Sequence, residues 1–179
     1  MRAVLDANVL FPTILREILT DLAGAGLFVP LWSPRILAEW RHAAARLGPD
    51  QDAVAGVEIA LLRDRFPGAE MPDDGTRAID LHFPDPADRH VAETALAGDA
   101  TLIVTANLRD FPRTLMAGLG LRAIHPDAFL LDLSRIDPGT VRAVVTKACD
   151  KAAAMGGDMT MAEMLKRSRL PRLAKALRG

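Results

Sequence analysis

Two runs, Ala3-Val4-Leu5 and Leu102-Ile103-Val104, are wholly apolar, only three residues long, and followed by a polar residue. Such runs are too short and too apolar for surface helices. They read as strands buried on both faces, the kind found in parallel sheets whose crossovers are helices. The intervening stretches carry the helical period. Between residues 11 and 25, Ile14, Leu15, Ile18, Leu19 and Leu22 predict an amphipathic helix ended by Gly24 and Gly26. Leu27-Phe28-Val29 reads as a second strand. Ser33-Pro34 supplies an N-cap and a first-turn proline for a helix bearing Ile36, Leu37, Trp40, Ala44 and Leu47.

A further helix near 50–66 carries Val54, Val57, Ala60, Leu61 and Leu62, and 76–83 reads as an extended piece. Asp85-Pro86 opens a helix to about Ala97, with Gly98 as its stop. A helix near 112–117 then leads to a strand near 121–124. Strands alternating with helices define an α/β fold on a short, mostly parallel sheet. Beyond Asp127 no strand is read, and 138–155 and 161–177 both read as helices around Gly156-Gly157. The expected division is a domain at 1–126 and a C-terminal helical extension at 127–179.

At 179 residues the chain is long enough for one core with a small appendage. The single cysteine, Cys149, excludes an internal disulfide framework and a cysteine-rich zinc site; it reads as a small core residue in a reducing cytoplasm. No apolar run approaches the roughly 18 residues of a membrane span, so a soluble protein with no membrane contact is expected.

The net charge of −1 conceals an asymmetry. Residues 1–146 hold 14 basic and 20 acidic side chains, whereas 147–179 hold 8 basic and 3 acidic. From Lys166 onward there are six cations and no acid. An acidic body can gather carboxylates at one site, and a basic tail offers cations to a polyanion, although a solvated helix face has the same composition.

In open parallel sheets ligands sit beyond the carboxyl ends of the strands. That rule groups residues far apart in the chain. Asp6 ends the first strand, Thr105-Ala106-Asn107 ends the strand at 102–104, and Asp110 lies just beyond. Asp85 suits an N-cap. Asp88 heads the stripe of Val91, Ala92 and Ala95, which should face the sheet, and a carboxylate there needs a cation. Glu39 flanks the stripe of its own helix, with Arg35 four residues earlier as a possible surface partner. Asp6, Glu39, Asp88 and Asp110 together would repel one another without a cation, and oxygen ligands suit Mg²⁺ or Mn²⁺. His42, His82, His90 and His125 lack close metal-ligand spacing, which argues against zinc. Neither a GxxxxGK[ST] nor a GxGxxG motif occurs.

Val4-Leu5-Asp6-Ala7-Asn8, Leu37-Ala38-Glu39, Asp85-Pro86-Ala87-Asp88-Arg89-His90 and Ile103-Val104-Thr105-Ala106-Asn107-Leu108-Arg109-Asp110 resemble, in order, the motifs of PIN-domain ribonucleases. The resemblance runs to about residue 125. It implies a three-layer α/β/α sandwich that cleaves RNA with Mg²⁺ or Mn²⁺. It also implies Asp6, Glu39, Asp88 and Asp110 as metal ligands, with Thr105 and Asn107 supporting by hydrogen bonding and Asn8 close by. Some members carry aspartate where Asn107 stands, which leaves one or two ions per site open. Many bacterial members are VapC-type toxins, dimeric and held inactive by a cognate antitoxin, and one larger subgroup carries an extension similar to the helical tail. The resemblance thus implies RNA, an antitoxin and a second copy as partners. Two other readings compete. A haloacid-dehalogenase-like phosphatase needs a second aspartate where this chain has Asn8. A catalytically inactive PIN-like module would bind RNA or protein without cutting, and its signature would be carboxylates pointing apart or an Arg or Lys between them.

Overall fold

A computed structural model describes residues 1–77, 82–156 and 159–178. Along the chain the elements are β1 (Arg2–Leu5), α1 (Ala7–Leu10), α2 (Thr13–Gly24), β2 (Val29–Leu31), α3 (Pro34–Ala45), α4 (Pro49–Arg65), α5 (Arg89–Ala97), β3 (Leu102–Val104), α6 (Arg113–Gly118), β4 (Arg122–Ile124), α7 (Pro126–Ile136), α8 (Pro138–Ala154), α9 (Met161–Arg167) and α10 (Pro171–Ala176). They form two compact units. Met1–Phe11 and Phe28–Ile124 make the first; Pro12–Leu27 and 125–179 make the second.

The first unit is α/β, as the alternation of strands and helices predicts. Its sheet has the order β2-β1-β3-β4, with every pairing parallel. The two apolar runs are its central strands: Ala3, Val4, Leu5, Ile103 and Val104 are wholly inaccessible. The second strand lies two residues later than 27–29. Its middle residue is Pro30, opposite Ala3. Proline is confined to sheet edges because it cannot donate to a ladder, and β2 is an edge strand. Ser33 caps α3 as expected, its hydroxyl accepting from the Ile36 amide at 3.3 Å. Gly98 ends α5, and close packing requires it: a Cβ there would meet Leu31 Cδ1 at 2.4 Å.

Helix α4 lies where it was expected, but it is turned the other way for most of its apolar positions. Ala55, Ile59 and Leu62 face inward, whereas Val54, Val57 and Leu61 are 50–63% exposed. Apolar residues occur nearly all round this helix, so its periodicity sets no single face. Helix α3 packs against α4. Arg41 grips Asp52 through two bonds of 2.8 and 3.1 Å, and its guanidinium carbon lies 3.6 Å from where a Gly56 Cβ would stand. The extended piece read at 76–83 falls largely outside the described residues.

The second unit is helical. In it α2 packs against α8, where Asp21 and Glu17 meet Lys147 and Lys151. Helix α7 was not read from the sequence. His125 caps it, Nδ1 accepting from the Asp127 amide at 3.2 Å, with Pro126 in the first turn and Phe129, Leu130 and Leu133 buried. The helix expected over 161–177 is two helices. Arg169 adopts φ +60, and Pro171 lacks the N–H that a continuous helix would use. Cys149 is half-buried rather than part of the core, with Sγ 3.9 Å from the Met159 carbonyl. Among the described residues no helix is long and apolar enough to cross a membrane.

Candidate active site

Asp6 leaves β1 and becomes the N-cap of α1, so its carboxylate stands at the carboxyl edge of the sheet beside the end of β3. The Asp6 amide donates to the Val104 carbonyl at 3.1 Å and ties the two strand ends together. The side chain is 5% exposed and closely held. Oδ1 accepts from the Ala7 amide at 2.7 Å. Oδ2 accepts from the Thr105 hydroxyl at 2.7 Å and from Asn8 Nδ2 at 2.6 Å. A carboxylate has about four acceptor positions, so about one remains, on Oδ1. Burial raises the Asp6 carboxyl above its ordinary range, against the lowering bonds from Thr105 and Ala7.

Asn8 is the hub that the sequence reading underrated. Its amide nitrogen donates to both Asp6 and Thr105, and its oxygen accepts from the Ala106 amide at 2.9 Å. An aspartate at this position would set acceptor against acceptor, which counts against the phosphatase reading. Thr105 is wholly buried, donates to Asp6, and accepts from the Asn107 amide at 3.1 Å. Asn107 itself is exposed, and its side-chain amide meets Asp110.

The remaining acids come from three other elements. Asp85 caps the short 3-10 turn Pro86–Asp88 by accepting from the Ala87 amide at 2.8 Å, so the capping reading of Asp85 describes what it does. Asp88 follows at the head of α5 and makes no capping bond. Its carboxyl is pushed up to about 6, first by burial, then by its hydrogen bond to Asp110 and the charge of that residue, then by the charges of Asp6 and Asp85. Glu39 adds to the field on Asp6. Burial would raise Glu39, but His90 and Arg35 beside it hold its carboxyl below the usual range.

His90 was considered in the sequence only as a zinc ligand. It is 4% exposed, and Nε2 lies 2.9 Å from Glu39 Oε1. That distance suits an ion pair, yet the contact is not aligned as a hydrogen bond, and Nδ1 has no partner either. Arg35 lies 3.3 Å from Glu39 and also donates to the Ala87 carbonyl at 3.1 Å. The oxygen donors and the mutual repulsion of Asp88 and Asp110 fit a hard divalent cation. Among the described residues no three acidic, histidine or cysteine side chains already form a cage for one.

The raised Asp88 carboxyl has a measurable consequence. A carboxyl that titrates higher in the folded chain than in the unfolded one favours folding while protonated; that stability is lost as pH rises from about 4 through about 6. In EDTA, Asp88→Asn should therefore be more stable than the parent at pH 8, by about 1–2 kcal/mol after allowance for solvent screening. The difference should vanish near pH 4. Thermal melts across that range would read it, and a variant less stable at every pH would contradict the assignment.

Residues 2–109, more than half of the chain, match the family described as PIN domain. The matched span holds Asp6, Glu39, Asp88, Thr105 and Asn107 and stops just short of Asp110. Over 73 residues the chain is 36% identical to a Mycobacterium tuberculosis protein named Putative ribonuclease VapC50. That alignment covers 41% of this chain and 41% of the relative, so the chain spans less than half of that relative's length. No solved structure matches. With the parallel sheet and the matched span in agreement, the chain belongs to the PIN domain family.

Proposed function

We propose that this protein is a Mg²⁺- or Mn²⁺-dependent endoribonuclease, the toxin of a toxin–antitoxin pair, cutting RNA at the cluster of Asp6, Glu39, Asp88 and Asp110. The observation that carries this reading is the mutual influence of these acids: Asp110 and Asp6 raise Asp88, and Glu39 raises Asp6. Family membership and the name of the relative support the same chemistry. A cognate antitoxin, a second copy of the chain and a cytoplasmic location belong to the same proposal. The chemistry is assigned to residues 1–126, with 127–179 as an appendage.

Within this reading Asp6, Glu39, Asp88 and Asp110 hold the ion. When bound, the ion supplies an activated water and neutralises charge on the phosphodiester. Thr105 and Asn8 fix Asp6 in one rotamer, so little reorganisation is needed when substrate arrives. His90 lies against Glu39, and Asn107 holds Asp110.

One observation favours the non-cutting module: Arg35 occupies the approach to Glu39 and the Ala87 carbonyl. The pair is exposed and spans one helical turn, a geometry worth about 0.3–0.5 kcal/mol. A contact that weak would yield if Glu39 were to hold a divalent ion. The test is incubation of the purified protein with a mixed, structured RNA pool in Mg²⁺, Mn²⁺ or EDTA. Discrete cleavage in either metal and none in EDTA is expected. Intact RNA from folded, inhibitor-free protein would transfer the assignment to the binding module.

A further inference from the structure

The tail presents one chemistry outward and another inward. Leu165, Leu170 and Leu173 are wholly buried, and Leu177 is 8% exposed. Asp127 on α7, itself 4% exposed, accepts from the Arg172 and Leu173 amides at 3.0 Å each and fixes the start of α10. What faces water is Lys166, Arg167, Arg169, Arg172, Lys175 and Arg178, all exposed. None of the six makes an ion pair among the described residues. By contrast, Lys147 and Lys151 in the same unit are paired with Asp21 and Glu17.

Helix stability accounts for only some of these charges. Lys166, Arg167 and Lys175 lie in last turns, where cations favour the helix dipole. Arg172 is in a first turn, where a cation is unfavourable, and Arg169 sits in a left-handed link. Burial, and then Arg172 and Arg169, hold His125 below its usual range against the opposing effect of Asp127.

From this we infer that α9, α10 and their link form a binding surface for the RNA phosphate backbone, fixed on the second unit and independent of base sequence. Two other partners fit less well. A membrane-surface helix needs its apolar face free, and here that face is buried. Protein interfaces centre on aromatic or aliphatic anchors, and no large apolar side chain from 161 to 178 is exposed. A row of unpaired Lys and Arg with no anchor suits phosphates, which require charge alone. The inference rests on RNA being the substrate, but not on cleavage.

Simple truncation at Lys166 would remove three core leucines, Leu170, Leu173 and Leu177, so the test must keep them. In the Asp6→Asn background and in EDTA, where no RNA is cut, binding of a fluorescent 20-nucleotide oligouridylate would be followed by anisotropy at several salt concentrations. The comparison is the full-length chain with and without Lys166→Gln, Arg169→Gln, Arg172→Gln and Lys175→Gln. Single-stranded RNA contributes a slope of about 0.7 per phosphate contact, so the fourfold variant should be shallower by about 3 on logarithmic axes. Lys147→Gln with Lys151→Gln, which removes charges already paired, should leave the slope nearly unchanged. Circular dichroism and a melt confirm that each variant is folded. An unchanged slope in the folded fourfold variant would overturn the inference. So would loss of binding to phosphatidylglycerol vesicles with RNA binding intact. A tail-dependent slope here, together with intact RNA after incubation of the parent chain in Mg²⁺ or Mn²⁺, would defeat the nuclease reading and leave this one standing.

Discussion

Asp6→Asn should lower RNA cleavage by about 10²–10³-fold or more while leaving the fold in place. The loss follows from position. Asp6 is the acid at the junction of β1 and β3, locked by three hydrogen bonds with about one acceptor position left over. Asparagine keeps an oxygen for the Ala7 amide but sets an NH₂ group against Asn8 Nδ2, and it brings no charge for a cation. Stability should change little, because two effects oppose. The two bonds that Oδ2 accepts from Thr105 and Asn8 are disturbed, costing about 1–3 kcal/mol, and a buried charge that burial disfavours is removed. The checks are the RNA assay and a urea melt, with calorimetric Mn²⁺ titration as a readout that needs no turnover. Parent-like cleavage by the variant would remove Asp6 from the chemistry. Parent-like Mn²⁺ affinity would remove it from the ion site.

Asp127→Ala should destabilise the second unit by about 2–4 kcal/mol. Its carboxylate is buried and satisfies two amides at the start of α10, 45 and 46 residues away in sequence. Without it both donors face the interior unpaired, and Leu173, wholly buried beside them, loses its anchor. Asp127→Asn keeps one acceptor and should cost roughly half as much. The measurement is urea unfolding, with limited proteolysis to show opening near 167–173. A loss below about 0.5 kcal/mol in the alanine variant would mean that the leucines alone seat the tail.

The sheet and most helices were legible from local pattern. Three-residue apolar runs, the Ser33 cap and the Asp85-Pro86 start each act within a few residues of themselves, and the topological rule for parallel sheets then pointed to Asp6, Thr105 and Asp110 as candidates, of which Asp6 and Thr105 meet at 2.7 Å. The failures have equally particular causes. The second strand was read at 27–29 but lies at 29–31, where the edge position tolerates Pro30. Helix α7 follows a histidine cap, which is not among the preferred capping residues.

What the sequence determined by itself was therefore the class of fold, the succession of most of its elements and the acids that could gather at the strand ends. These depend on residue period and neighbouring side chains. Only the tertiary structure decided which face of α4 turned inward, that Asn8 bridges Asp6 and Thr105, that His90 lies buried against Glu39, and that the tail's leucines are consumed while its cations make no ion pair among the described residues. Each of those outcomes joins residues from 11 to 99 positions apart, and no local periodicity carries such a distance.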